Sequence, residues 1–268
     1  MVVDTYVDDA EARVADERDH VTGERAAFTQ FRKTVADMTP RTGTGNGRTG
    51  GSAASGGGAA ATSFVGDSAG TTQCARVREA FADTVRPYSV DDVDADEPLL
   101  VTVREELGES VALALAPNTS LGFTPTVKNA LLSTVGDRRQ ELDAMTHALD
   151  RETDSLRDAA ADIDDITAWL ADVDETPLTA LDFDGLRRRH DALADHRATC
   201  DRLAADRQTF LRRTTSHNAT VGLTHRSLVP YLYQEFSVTY PVLVTVARLD
   251  AVLDDCQRAV RRHLTART

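Results

Sequence analysis

The sequence predicts an all-α protein: an elongated helical bundle with long coiled-coil-like helices and one Gly/Ser/Thr-rich linker. Three observations carry this. Apolar residues recur every seventh position over two long stretches, the spacing of a stripe held on one helix face. Alternating apolar runs joined by hairpin dipeptides do not occur, which argues against strands. Thr124-Pro125, Thr176-Pro177 and Tyr240-Pro241 each precede an apolar periodic stretch, and proline is favoured in a first helical turn.

Residues 1–38 hold the first heptad helix, on Val7, Val14, Val21, Phe28 and Val35. Ala10, Phe31 and Met38 occupy the companion row, which Glu17 and Glu24 interrupt. Residues 39–70 are dominated by glycine, serine, threonine and alanine. Such a segment buries too little apolar surface to offset its ordering entropy and reads as a flexible linker. Its glycines lack the GxxxxGK[ST] phosphate-loop pattern. Residues 71–268 form the remaining bundle, which makes one domain with 1–38 if the two stripes pair. Within it, Cys74, Val77, Phe81 and Val85 lie on one helix face, and Pro87 stops that helix. The acidic run Asp91, Asp92, Asp94, Asp96 and Glu97 lacks the glycine and glutamate of a calcium loop and reads as a solvated loop. A helix from Glu97-Pro98 to about Ala116 follows, with Asp96 as its cap.

The long central helix, 125–174, has the clearest pattern. Val135, Leu142, Leu149, Leu156, Ile163 and Leu170 lie seven apart without a miss and form the expected interaction seam. Arg138 and Glu152 interrupt its second row. The next helix opens at Thr176-Pro177, with a break near Gly185, and carries Leu186, Leu193, Cys200, Leu203 and Phe210 to about His217. After a turn over 217–224, a short apolar helix spans 228–236. The last helix, from Tyr240-Pro241, places Val242, Val246, Leu249, Leu253, Cys256, Val260 and His263 at alternating spacings of four and three.

Net charge is −13, and lysine occurs only at Lys33 and Lys128, so 28 of the 30 basic residues are arginine. Aspartate outnumbers glutamate 31 to 12. A GC-rich genome alone favours arginine and aspartate. Aspartate excess, lysine depletion and low pI together point to the cytoplasm of an extreme halophile. At 1 M salt the Debye length is about 3 Å, so long-range charge steering counts for little. The long helix is acidic and residues 176–268 are mildly basic. Arg187, Arg188, Arg189, Arg212, Arg213, Arg261 and Arg262 carry most of that asymmetry, which suits antiparallel packing of acidic on basic helices. A nucleic-acid face is the alternative use of these arginines, without a recognised binding signature.

Site chemistry is sparse. The seven histidines (His20, His147, His190, His196, His217, His225, His263) form no HExxH and no Cys/His cluster, so no metal ligand set and no cofactor is expected. Cys74, Cys200 and Cys256, an odd number without CxxC spacing, fit a reducing compartment. No stretch is apolar for the length of a membrane span, and the first thirty residues lack the basic start and apolar run of a signal peptide. Trp169, the only tryptophan, reads as a packing anchor near the end of the long helix. Tyr231, Tyr233, Phe236 and Tyr240 form an aromatic cluster, either a hinge wedged between helices or a small pocket.

The segment HRSLVPYLYQEFSVTYPVLVTVARLDAVLDDCQRAVRRHL, the stretch CARVREAFADTV and the start FTPTVKNALL together resemble an uncharacterised haloarchaeal all-helical family, a domain of unknown function. The resemblance implies a helical fold and a saline cytoplasm, and no activity, substrate or cofactor. The expected role is a non-enzymatic interaction or scaffold protein that self-associates or binds a protein partner through the long seam. The alternatives are a nucleic-acid-associated regulator using the arginine-bearing C-terminal third, and a small-molecule sensor with a pocket near 231–240.

Overall fold

A computed structural model describes residues 5–41, 68–89, 97–117, 122–217 and 225–266. The expected linker over 39–70 lies outside the described residues except at its ends. So do Asp91, Asp92, Asp94 and Asp96, with Asp96's proposed cap, and the turn around Gly222. The fold is all-α, with no strand among the described residues. The helices are α1 (Val7–Asp37), α2 (Ser68–Thr84), α3 (Arg86–Ser89), α4 (Leu99–Leu107), α5 (Glu109–Leu115), α6 (Pro125–Asp174), α7 (Phe183–His217), α8 (His225–Leu232) and α9 (Pro241–Thr265), with a 3-10 turn at Leu178–Ala180.

The chain divides into two compact units, Met1–Asp19 with Ala144–Thr268, and His20–Asp143. This differs from the expected division into 1–38, 39–70 and 71–268. The reason is that α1 and α6 each contribute residues to both units, and a heptad row running unbroken along a helix carries no mark of such a division.

In the unit His20–Asp143, α1 and α6 run antiparallel. Arg25 is paired with Asp143, Arg138 with Glu24, and the Lys128 ammonium donates to the carbonyls of Ala36 and Met38 at 2.6 and 2.7 Å. The last two contacts satisfy carbonyls left open at the end of α1. Phe31 and Phe81 meet edge to face at 5.5 Å between ring centres. Val21, Phe28, Val35, Val77, Val85, Val103, Leu107, Leu115 and Phe123 are buried around them. Tyr88 lies against Gly23, where a Cβ would stand 2.5 Å from its ring. Pro87 does not end helical structure. The chain turns at Val85, and Pro87 sits in the first turn of α3, where its missing N–H costs nothing. The helix expected from 97 to 116 is two helices, divided at Gly108 with φ 83° and ψ 162°, a backbone region open in practice only to glycine. Thr124 caps α6, its hydroxyl accepting from the Val127 N–H at 3.2 Å.

In the other unit, α6 and α7 form an antiparallel pair, joined by Arg202–Asp162 and Arg207–Glu152 and by the Trp169–His196 ring contact at 4.5 Å. Helix α9 packs antiparallel on α7. Arg197 donates to Asp250 and Asp254 at 2.8 and 2.9 Å, and Gln257 reaches the His190 carbonyl. Asp182 caps α7 by accepting from the Gly185 N–H at 2.7 Å, so the expected break near Gly185 falls before Phe183 instead. The start of α1 joins through the Tyr6 N–H on the Thr245 hydroxyl and the Arg248 guanidinium over the Tyr6 ring.

Every member of the expected interaction seam is buried: Val135, Leu142, Leu149, Leu156, Ile163 and Leu170 are at most 7% exposed. The first stripe, Val7 to Val35, is buried as well. The apolar edges are thus covered by the chain's own helices.

Candidate functional site

The residues that break the heptad rows are polar, and burial obliges each to find a partner. Glu24 of α1 and Arg138 of α6 are both breaks, and they pair with one another at 3.0 Å. Arg138 also stands 3.2 Å from Glu141 and 3.3 Å from Glu106. The Arg138 Nε and Glu106 Oε2 atoms are buried without a hydrogen bond, so that contact is ionic and poorly aligned. Three carboxylates therefore share one guanidinium. Burial pushes the Glu24 carboxyl above its ordinary value, with Glu106 adding to the rise and Arg138 opposing it.

Glu152, with no exposed surface, is the second break in α6. It accepts from both terminal nitrogens of Arg207, at 2.5 and 3.2 Å, and from the Tyr233 hydroxyl at 2.7 Å. Arg207 also donates to the Ser155 hydroxyl at 2.9 Å and lies over the Phe210 ring. A fork-to-carboxylate geometry of this kind is the strong form of the charged hydrogen bond. Burial and the neighbouring carboxylate both raise the Tyr233 pKa, so this hydroxyl acts as a donor. Glu17, the remaining break, accepts from the Tyr231 hydroxyl and pairs with Arg13, both at 3.1 Å.

Beside the Glu152 network, an open groove of about 770 Å³ runs between α6 and α7, with Arg202, Arg207, Asp158 and Asp162 in its walls. Its charges alternate in sign. Inside the network, the Glu152 oxygens are engaged by Arg207 and Tyr233, which leaves the carboxylate poorly placed to take a proton from a substrate.

The aromatic cluster does not converge on one cavity. Tyr233 is buried on Glu152, Phe236 packs on it at 5.3 Å, and Tyr231 and Tyr240 are each more than 40% exposed. Of the four, Phe236 lines an open cleft with Tyr6, Arg13 and Glu235. Tyr233 and Phe236 thus pack together, with the Tyr233 hydroxyl on Glu152. Burial pushes the thiols of Cys74 and Cys256 up, and that of Cys200 up to about 11. All three are held protonated at neutral pH, the weakly nucleophilic form. His263 is half-buried in the last turn of α9.

The arginines described in contact with α6 are not among those expected to hold the acidic helix. Arg18, Arg202 and Arg207 make those contacts to α6 in their unit, at Asp150, Asp162 and Glu152. Arg207 was legible, since it continues the row Leu186, Leu193, Cys200 at the same spacing. Arg187, Arg188, Arg261 and Arg262 are exposed instead. The antiparallel pairing of α7 and α9 brings the first two, at the start of α7, to the same end of the unit as the last two. Arg189 donates to the Thr176 carbonyl, Arg212 to its own helix, and the Arg213 side chain lies outside the described residues.

Among the described residues, no group of three His, Cys, Asp or Glu side chains is placed to hold a metal, and no helix is long and apolar enough to cross a membrane. The family model described as Domain of unknown function (DUF7260) matches residues 5–257. No curated protein and no solved structure matches the chain.

Proposed function

We propose that this chain, which belongs to the DUF7260 family, is a non-enzymatic interaction or scaffold protein of a saline cytoplasm. In this reading it binds an acidic protein partner through the arginine-rich end of α7 and α9. The observation that carries the proposal is the gathering of exposed Arg187, Arg188, Arg261 and Arg262 at one end of their unit. Phe183, nearly half exposed at the start of α7, adds an apolar anchor beside them. Guanidinium forks bind carboxylates at contact distance, a geometry that survives molar salt better than long-range attraction. The long seam takes no part, because its residues are already covered.

The test is affinity capture of the full chain from its own cells at intracellular salt, beside a variant carrying Arg187→Glu, Arg188→Glu, Arg261→Glu and Arg262→Glu. The expected result is a co-purifying acidic protein that the variant loses while its helical circular dichroism is unchanged. Recovery of the same protein by both forms would refute the assignment. The same arginine end supports a second reading, contact with nucleic-acid phosphates. It is tested with the full chain, since α7 and α9 fold against α6. Retention of DNA or RNA in molar potassium chloride, lost in the variant, would favour that reading over the first.

A further inference from the structure

Where α6 ends and the chain turns through Thr176-Pro177 into the 3-10 turn, the packing leaves a cleft whose mouth is formed by exposed Asp174, Thr176 and Pro177. A cavity of about 190 Å³ lies there, walled by Trp169, Leu170, Leu178, Leu193, Cys256 and Val260. Its cause is local. Two of the three α9 residues in its wall, Cys256 and Ala259, are small, and the turn supplies only Thr176, Pro177 and Leu178 to close it. The charged residues in the wall are Asp174 and Arg189, one of each sign. The site as a whole therefore favours no net charge on an occupant. The volume suits one aromatic ring, since benzene fits apolar cavities of about 150 Å³. A volume well below the usual drug-sized range restricts the occupant to about one ring.

We propose that this cavity binds a small uncharged aromatic molecule of single-ring size, which stacks on or abuts the Trp169 indole and covers the Cys256 thiol. The site borders the arginine end, since its wall residues Arg189 and Val260 adjoin Arg188 and Arg261 in sequence, and it is separate from the Tyr231–Tyr240 region.

The probe is toluene, titrated into the full chain in molar potassium chloride at about pH 8, where His196 beside Trp169 is neutral. Trp169 is the only tryptophan, so its emission reports this cavity alone. Cys256 is half-buried while Cys74 and Cys200 are buried, so iodoacetamide alkylation read by peptide mass reports the same wall. The expected result is a saturable change in emission with at least threefold slower alkylation of Cys256. Ala259→Leu, which fills the gap, abolishes both effects. Should that variant not fold, Val173→Leu reduces the same volume from the α6 side. A linear, unsaturable emission change overturns the proposal. So does an unaltered emission titration in the folded variant, because the signal would then not depend on the volume that Ala259 leaves.

Discussion

At the scale of single residues, the departures from the heptad pattern carry the most information. Glu152 and Arg207 are almost fully buried and satisfy one another, so removing one partner strands a charge. Loss of one member of a buried pair costs about 3–5 kcal/mol, whereas replacing both by apolar groups is often neutral. Arg207→Met should therefore lower unfolding free energy by about 3–5 kcal/mol in denaturant titrations, and the double variant Glu152→Leu/Arg207→Met should recover most of it. Glu24 has a different sign. Its folded pKa is raised above the unfolded 4.5, so its contribution favours folding below that pH and is lost as pH rises through the folded value. Glu24→Gln should be neutral or stabilising at pH 7, and its advantage should vanish as pH falls below about 4.5. A constant difference across that range would contradict the burial argument. These partnerships were half legible. That Glu17, Glu24, Arg138 and Glu152 interrupt apolar rows can be read from spacing. Which of them pair cannot, because pairing depends on the vertical register of antiparallel helices.

At the scale of elements, the sequence describes the long helices well and the short ones poorly. The bounds of α6 follow from Thr124-Pro125 at one end and Thr176-Pro177 at the other, and the structure places them at Pro125 and Asp174. The division of α4 from α5 was not visible, since good helix formers flank Gly108 (Arg104, Glu105, Glu106 and Leu107 before it, Glu109 after it) and a lone glycine is tolerated within helices. Its backbone conformation makes it testable. Gly108→Ala should destabilise the unit His20–Asp143 by about 1–3 kcal/mol, read from thermal unfolding, although the new methyl group meets open space. An unchanged midpoint would show that the α4–α5 link relaxes without cost.

At the scale of the whole molecule, the heptad rows admitted two outcomes: closure within the chain, or closure against a companion. Periodicity is the same in both, so sequence alone left self-association through Val135 to Leu170 open. Burial of all six residues selects the first outcome and moves any partner to the exterior. The most direct measurement is hydrogen exchange over residues 135–170 at two protein concentrations about a hundredfold apart, in molar potassium chloride. A seam closed by its own chain gives the same protection at both concentrations, because folding within one molecule does not depend on mass action. Protection that falls on dilution would mean that a second copy covers the seam, and would contradict an internally closed fold.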